Sequence, residues 1–158
     1  MATRDLMIQI KKVRDSSPTM ACIRADGSRT WGRMHPFFPA HDLTHFAVES
    51  VMNCGEAFFG LIAQGWEIDD FAIPGVAQRL PFQALWVENV VMLVERGHLP
   101  DETALNEHLD LLRTSHEQAF RVTADQWQQI GEVRAARLNQ WSELPGGATL
   151  ELAFTVQC

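Results

Sequence analysis

The chain has 158 residues, which fits one domain, and its 46 % hydrophobic and 21 % charged residues are typical of a globular protein. The net charge of −7 argues against nonspecific binding to nucleic acid, and no apolar run reaches the roughly 18 residues of a membrane span. The three cysteines form no CxxC pair, so we expect free thiols rather than a disulfide framework or a thiolate zinc site.

Both ends of the chain show the alternation of apolar and polar residues that is typical of strands with one buried face. Three N-terminal strands are predicted, over residues 6–10, 20–24 and 29–34. Between the second and third strands lie Asp26 and Gly27, for which we expect a two-residue type I′ hairpin turn. The same alternation over 148–156 predicts a last strand that joins the N-terminal meander.

The middle of the chain has the periodicity of helices. Four helices are predicted, over about 39–64, 81–96 and 101–115 and from a capping box at 123–126 onward. Gly55 and Gly60 lie inside the first helix, where they weaken it or permit close packing. The second helix is apolar on nearly all sides and is expected to be central. The sequence therefore predicts one α+β domain over 1–158, with a small antiparallel sheet packed against about four helices.

The main chemical signal is the stretch His41-Asp42-Leu43-Thr44-His45. Histidines four apart on a helix lie about 6 Å apart along its axis, so both imidazoles can reach one ion, as in HExxH zinc proteins. Nitrogen and oxygen ligands suit a first-row divalent metal, and zinc is the favoured ion.

The third ligand is less well determined by the sequence. Glu49 is the preferred choice, because it lies about 6 Å along the helix axis from His45. Glu56 lies about 16 Å beyond His45 on a straight helix, so it needs a break in the helix. His35 could fold back over the helix start. Three more distant histidines, at positions 98, 108 and 116, could also complete the ligand set.

Two acidic residues leave more than one role open. Asp42 could act as general base beside a metal-bound water, bind the metal, orient a histidine, or simply complement the helix dipole. Glu88 interrupts the apolar second helix. It lies either on a narrow solvated stripe, seven residues before Glu95, or is buried with a metal or an arginine as its partner.

The HDxxH stretch resembles two family motifs. It is similar to the HDxGH motif of the HD-domain phosphohydrolases, which implies that the adjacent His41-Asp42 pair binds a divalent metal. It also resembles the HDxxH...Glu signature of a small helical coenzyme Q biosynthesis protein family. That resemblance implies that His41, Asp42, His45 and Glu56 form the metal set and that the protein handles a lipid or quinone.

The sequence thus favours a metal-binding protein, and metal-activated water would make it a metal-dependent hydrolase acting on a small molecule. The competing hypothesis is a noncatalytic binding or assembly module for a protein partner or a hydrophobic small molecule, and homo-oligomerisation is compatible with both. The N-terminal residues lack the apolar core of a signal peptide, so we expect a cytoplasmic location.

Overall fold

A computed structural model describes residues 2–35, 38–97, 103, 106–107 and 121–157. Its strands are β1 (Thr3–Lys11), β2 (Thr19–Arg24), β3 (Arg29–Arg33) and β4 (Thr149–Gln157). Its helices are α1 (Phe38–Val51), α2 (Phe58–Ala63), α3 (Phe82–Glu95) and α4 (Ala124–Glu143), with short 3₁₀ helices at Ile68–Ala72 and Val76–Gln78. This architecture confirms the predicted α+β fold. Within the described ranges, every helix is too short or too polar to cross a bilayer.

The four strands form one antiparallel sheet in the order β3-β2-β1-β4. β4 pairs with β1 along its whole length, with Leu6 opposite Phe154 and Ile10 opposite Leu150. The alternating apolar residues of β1 and β4 are buried on the face that α1 and α2 cover. The predicted pairing of the C-terminal strand with the N-terminal meander is therefore confirmed.

The hairpin between β2 and β3 differs from the predicted type I′ turn. Only Gly27 of the two turn residues has a positive φ, of 85°. The N–H of Gly27 donates to the carbonyl of Arg24, and the N–H of Arg24 donates to the carbonyl of Ser28. This pattern is a three-residue loop, in which a type I turn is followed by a left-handed glycine. The Asp26 side chain stabilises the loop by accepting a hydrogen bond from the Ser28 N–H at 2.8 Å.

The single helix predicted over 39–64 is wrong, because α1 ends at Val51 and α2 begins at Phe58. Asn53 has a left-handed φ of 53°, and the next N–H, that of Cys54, donates back to the carbonyl of Glu49. Asparagine is one of the few residues that adopt this conformation at a helix end. The predicted end at Gly65 is confirmed, since its φ is 119° and it directly follows Gln64, the C-cap residue of α2.

Helix α1 lies between the two parts of the core. Leu43 and Phe46 pack beneath the sheet, whereas Ala47 and Val48 belong to the second cluster, which includes residues of α3 and α4. α1 therefore contacts both parts of the core, whereas α3 contributes its buried face to the second cluster and leaves Leu85 39 % exposed. Burial on several sides explains why the polar residues of α1 lie in the interior.

The other helix ends agree with the sequence. At the start of α4, Thr123 and Gln126 form the predicted reciprocal capping box. Gly97, which follows α3, has a left-handed φ of 68°. The helix predicted over 101–115 lies outside the described residues, apart from positions 103, 106 and 107.

Candidate metal centre

The predicted histidines lie where α1 passes α3. His41 contacts Glu95, and His45, one turn later on α1, contacts Glu88, two turns earlier on α3. The two helices therefore run in opposite directions at this point. His41 is one-third exposed and Glu88 half exposed at their side chains, whereas His45 is buried. The group thus opens to the surface on one side and reaches the core on the other.

The Nε2 atoms of both histidines face the same carboxylate. His45 Nε2 lies 3.0 Å from Glu88 Oε1, and His41 Nε2 lies 3.9 Å from Glu88 Oε2. The imidazole rings meet edge to face, with centroids 4.9 Å apart. One potential ligand atom from each of these three residues lies within 4.8 Å of the other two. The structure therefore brings together two of the predicted ligands and Glu88, one of the alternatives that the sequence left open.

Glu49, the preferred third ligand, lies behind His45. Its Oε2 is 3.0 Å from His45 Nδ1, and its Oε1 accepts hydrogen bonds from the N–H groups of Phe59 and Gly60 at 2.9 and 3.2 Å. Its side chain is fully buried. Both oxygens are thus occupied, and Glu49 belongs to the surroundings of the histidine rather than to the group of mutually close ligand atoms.

Charge is concentrated around His45. Burial by itself lowers the pKa of this imidazole, but the hydrogen bonds and charges of Glu49 and Glu88 outweigh burial and raise the pKa to about 10. Partial burial alone would raise the pKa of Glu88, yet the hydrogen bond from His45 and the two imidazoles lower it. Burial raises the pKa of Glu49, against the lowering effect of its hydrogen bonds with His45 and with the N–H groups of Gly60 and Phe59. The directions for His45 and Glu88 therefore favour a protonated imidazole beside the Glu88 carboxylate.

Asp42 is buried beside this group, with only 8 % of its surface exposed. Among the described residues, none donates a hydrogen bond to its carboxylate. Burial raises the pKa of Asp42 to about 6, against the lowering effect of His45 and His41.

The remaining candidates lie elsewhere. His35 is exposed before the start of α1, with its ring centroid 5.6 Å from that of Phe38. Glu56 is an exposed residue of the α1–α2 connection, and its N–H donates to the side chain of Gln83. Neither belongs to the close group found among the described residues. Positions 98, 108 and 116 lie outside those residues.

Glu95 was not predicted as part of the site. Its Oε1 lies 2.9 Å from His41 Nδ1. The signal that could have identified it is the seven-residue spacing from Glu88, which places both glutamates on one face of α3. A solvated stripe, one of the two alternatives open for Glu88, accounts for the partial exposure of both glutamates but not for their histidine partners.

Comparisons with protein-family models, with curated proteins and with solved structures found no match for this chain. The two local resemblances of the HDxxH stretch therefore stay predictions.

Proposed function

We propose that the protein binds one divalent metal ion through His41 Nε2, His45 Nε2 and the Glu88 carboxylate, with zinc as the favoured ion. The observation that carries the proposal is that both Nε2 atoms face the two oxygens of one carboxylate, at 3.9 and 3.0 Å. Two ligands bound to a tetrahedral zinc ion at about 2.1 Å lie about 3.4 Å apart. Small side-chain shifts therefore suffice to accommodate the ion.

Three protein ligands leave at least one coordination position for water or a substrate, which is the arrangement of catalytic rather than structural zinc sites. A bound metal lowers the pKa of its water and supplies a nucleophile for hydrolysis. In this proposal Asp42 would be the residue that takes up the proton of such a water, because its carboxylate is buried and close enough to His45 and His41 for their charges to lower its pKa against the effect of burial. Hydrolysis of a small-molecule substrate is the activity that this chemistry favours.

Metal content of tag-free protein tests the proposal. Inductively coupled plasma mass spectrometry after loading with zinc and desalting should find about one ion per chain, and His45→Ala and Glu88→Ala should each lose it. Glu56→Gln is the matched control, because Glu56 is exposed and lies outside the group of three. Substoichiometric metal in the wild type, unchanged by His45→Ala, would remove the proposal.

A second candidate function is a noncatalytic binding or assembly module. It is favoured by the outer face of the sheet, where Trp31 is 55 % and Met7 36 % exposed. Exposed aromatic residues of this kind are enriched in protein interfaces. Under this alternative, Trp31→Ala weakens self-association or partner binding, whereas His45→Ala leaves it intact. Sedimentation velocity measures the self-association of both variants and so distinguishes the two candidate functions when the partner is a second copy of the chain.

A further inference from the structure

Each histidine of the proposed centre has a second carboxylate behind its ring. His41 Nδ1 lies 2.9 Å from Glu95, and His45 Nδ1 lies 3.0 Å from Glu49. Histidines that bind a metal through one nitrogen usually donate the N–H of the other nitrogen to a carboxylate or carbonyl. The same arrangement occurs here twice, with the Nε2 atoms on the side of Glu88.

The carboxylate of Glu49 is fixed in this position. One oxygen accepts the N–H groups of Phe59 and Gly60, and the other faces the imidazole. If Glu49 turned to bind the ion, it would leave two buried N–H groups at the start of α2 without an acceptor, which costs about 1–3 kcal/mol for each. Glu49 therefore orients His45 rather than binding the ion.

We infer that Glu49 and Glu95 are positioning residues, which hold the proton of each imidazole on Nδ1 and direct the Nε2 lone pairs toward the ion. This inference rests on the proposed metal centre and deepens it. The two positions are unequal, because the side chain of Glu49 is fully buried and that of Glu95 is 34 % exposed. Glu49 therefore fixes its histidine more strictly than Glu95 does.

Glu49→Gln is the sharpest test. The amide oxygen can still accept the N–H groups of Phe59 and Gly60, so the start of α2 keeps its acceptor. The amide NH₂ group then faces His45 Nδ1 and donates to it, which leaves the proton of the neutral imidazole on Nε2. A protonated Nε2 cannot bind the ion. We expect zinc affinity to fall about 10–100-fold, with the circular dichroism of the metal-free protein unchanged.

Glu95→Gln and Glu56→Gln provide the comparison. The amide at position 95 is partly exposed and can rotate to present its oxygen to His41, so we expect a loss of less than tenfold. Glu56→Gln should bind zinc as tightly as the wild type, because Glu56 does not contact either histidine among the described contacts. Competition with a chromophoric zinc chelator gives the affinities of all four proteins.

Long-range ¹H–¹⁵N spectra of the imidazoles add a measurement that a purely structural role would not change. In the zinc-loaded wild type they should show Nδ1 protonated and Nε2 bound to metal for both histidines. If the wild type binds no zinc, the proposed metal centre itself fails. If it binds zinc through Nδ1, or if folded Glu49→Gln binds as tightly as the wild type, only the positioning role is overturned. Should Glu49→Gln not fold, the wild-type spectra decide.

Discussion

His45 must lose a proton before it can bind a metal, since only the neutral imidazole offers a lone pair at Nε2. Its two carboxylate neighbours outweigh the effect of burial and raise its pKa to about 10 in the metal-free protein, so we expect the imidazole to be charged at neutral pH. Each ion bound then releases this proton. We expect zinc affinity to weaken by about tenfold for each pH unit from 9 down to 7. Chelator competition measures the slope, and a flat profile would contradict the charged state of His45.

Two buried cysteines should be chemically inert. Burial, the larger effect, and the charge of Asp42 together raise the pKa of Cys22 to about 12. Burial also raises the pKa of Cys54. At pH 8 roughly one part in ten thousand of Cys22 is thiolate, the form that reacts. We expect iodoacetamide to leave both residues unmodified in the native protein and to alkylate both in urea, as read by peptide mass spectrometry. Rapid native alkylation of Cys22 would show that the sheet opens.

At the scale of elements, the α1–α2 connection depends on a close backbone approach at Gly60. A Cβ atom there would collide with the backbone carbonyl group of Gly55, so a backbone shift would be needed to accommodate it. We expect Gly60→Ala to destabilise the protein by about 1–3 kcal/mol. This shift would also move the N–H groups that Glu49 accepts.

Gly131 provides the control for that substitution. It lies within α4, and a Cβ atom there would meet no heavy atom within 4 Å. Alanine favours a helix interior by about 0.5–1 kcal/mol over glycine, so we expect Gly131→Ala to stabilise the protein by about that amount. Urea unfolding gives the free energy of unfolding of both variants. Equal free energies of unfolding for Gly60→Ala and Gly131→Ala would show that the backbones at Gly55 and Gly60 can separate at little cost.

Helix ends could be predicted from the sequence where a few neighbouring residues determine them. The capping box at Thr123 and the glycine after α3 are examples, because each side chain or φ preference acts within one helical turn. The break after α1 was missed because Asn53 favours a left-handed φ only weakly. The Asp26-Gly27 pair likewise permits two loop lengths, so it predicts a hairpin but does not determine the number of loop residues.

At the scale of the whole molecule, the position of α3 decides which acid joins the histidines. Glu49 was preferred because distance along one helix can be calculated from the sequence. Glu88 lies more than 40 residues from His45, and only the packing of α3 beside α1 brings it to 3.0 Å from Nε2. Sequence periodicity shows which face of a helix is apolar but not which helix packs beside it. The histidine pair could therefore be predicted, but its third partner could not.

Two of the basic residues in the N-terminal part of the chain are used where the sheet packs against helix ends. Residues 1–38 carry seven basic and three acidic residues, a net of +4 against −11 for the rest. Arg24 donates to the carbonyls of Ile62 and Trp66 at the end of α2, and Lys12 donates to the carbonyls of Trp141 and Leu144 at the end of α4. Basic groups at these carboxyl ends complement the helix dipoles. These two residues are thus used within the fold.

A metal bound between α1 and α3 should stabilise the entire molecule, because it binds the folded chain and not the unfolded one. At a free zinc concentration 100 times its dissociation constant, the added stability is about 2.7 kcal/mol. For a domain of this size, that corresponds to a rise in Tm of about 5–10 °C. We expect differential scanning fluorimetry to show this rise for the wild type and for Glu56→Gln, and to show its reversal by excess chelator. Glu88→Ala lacks a ligand and should show no zinc-dependent shift, whatever its metal-free Tm. An equal shift in Glu88→Ala would place the zinc ion elsewhere in the protein.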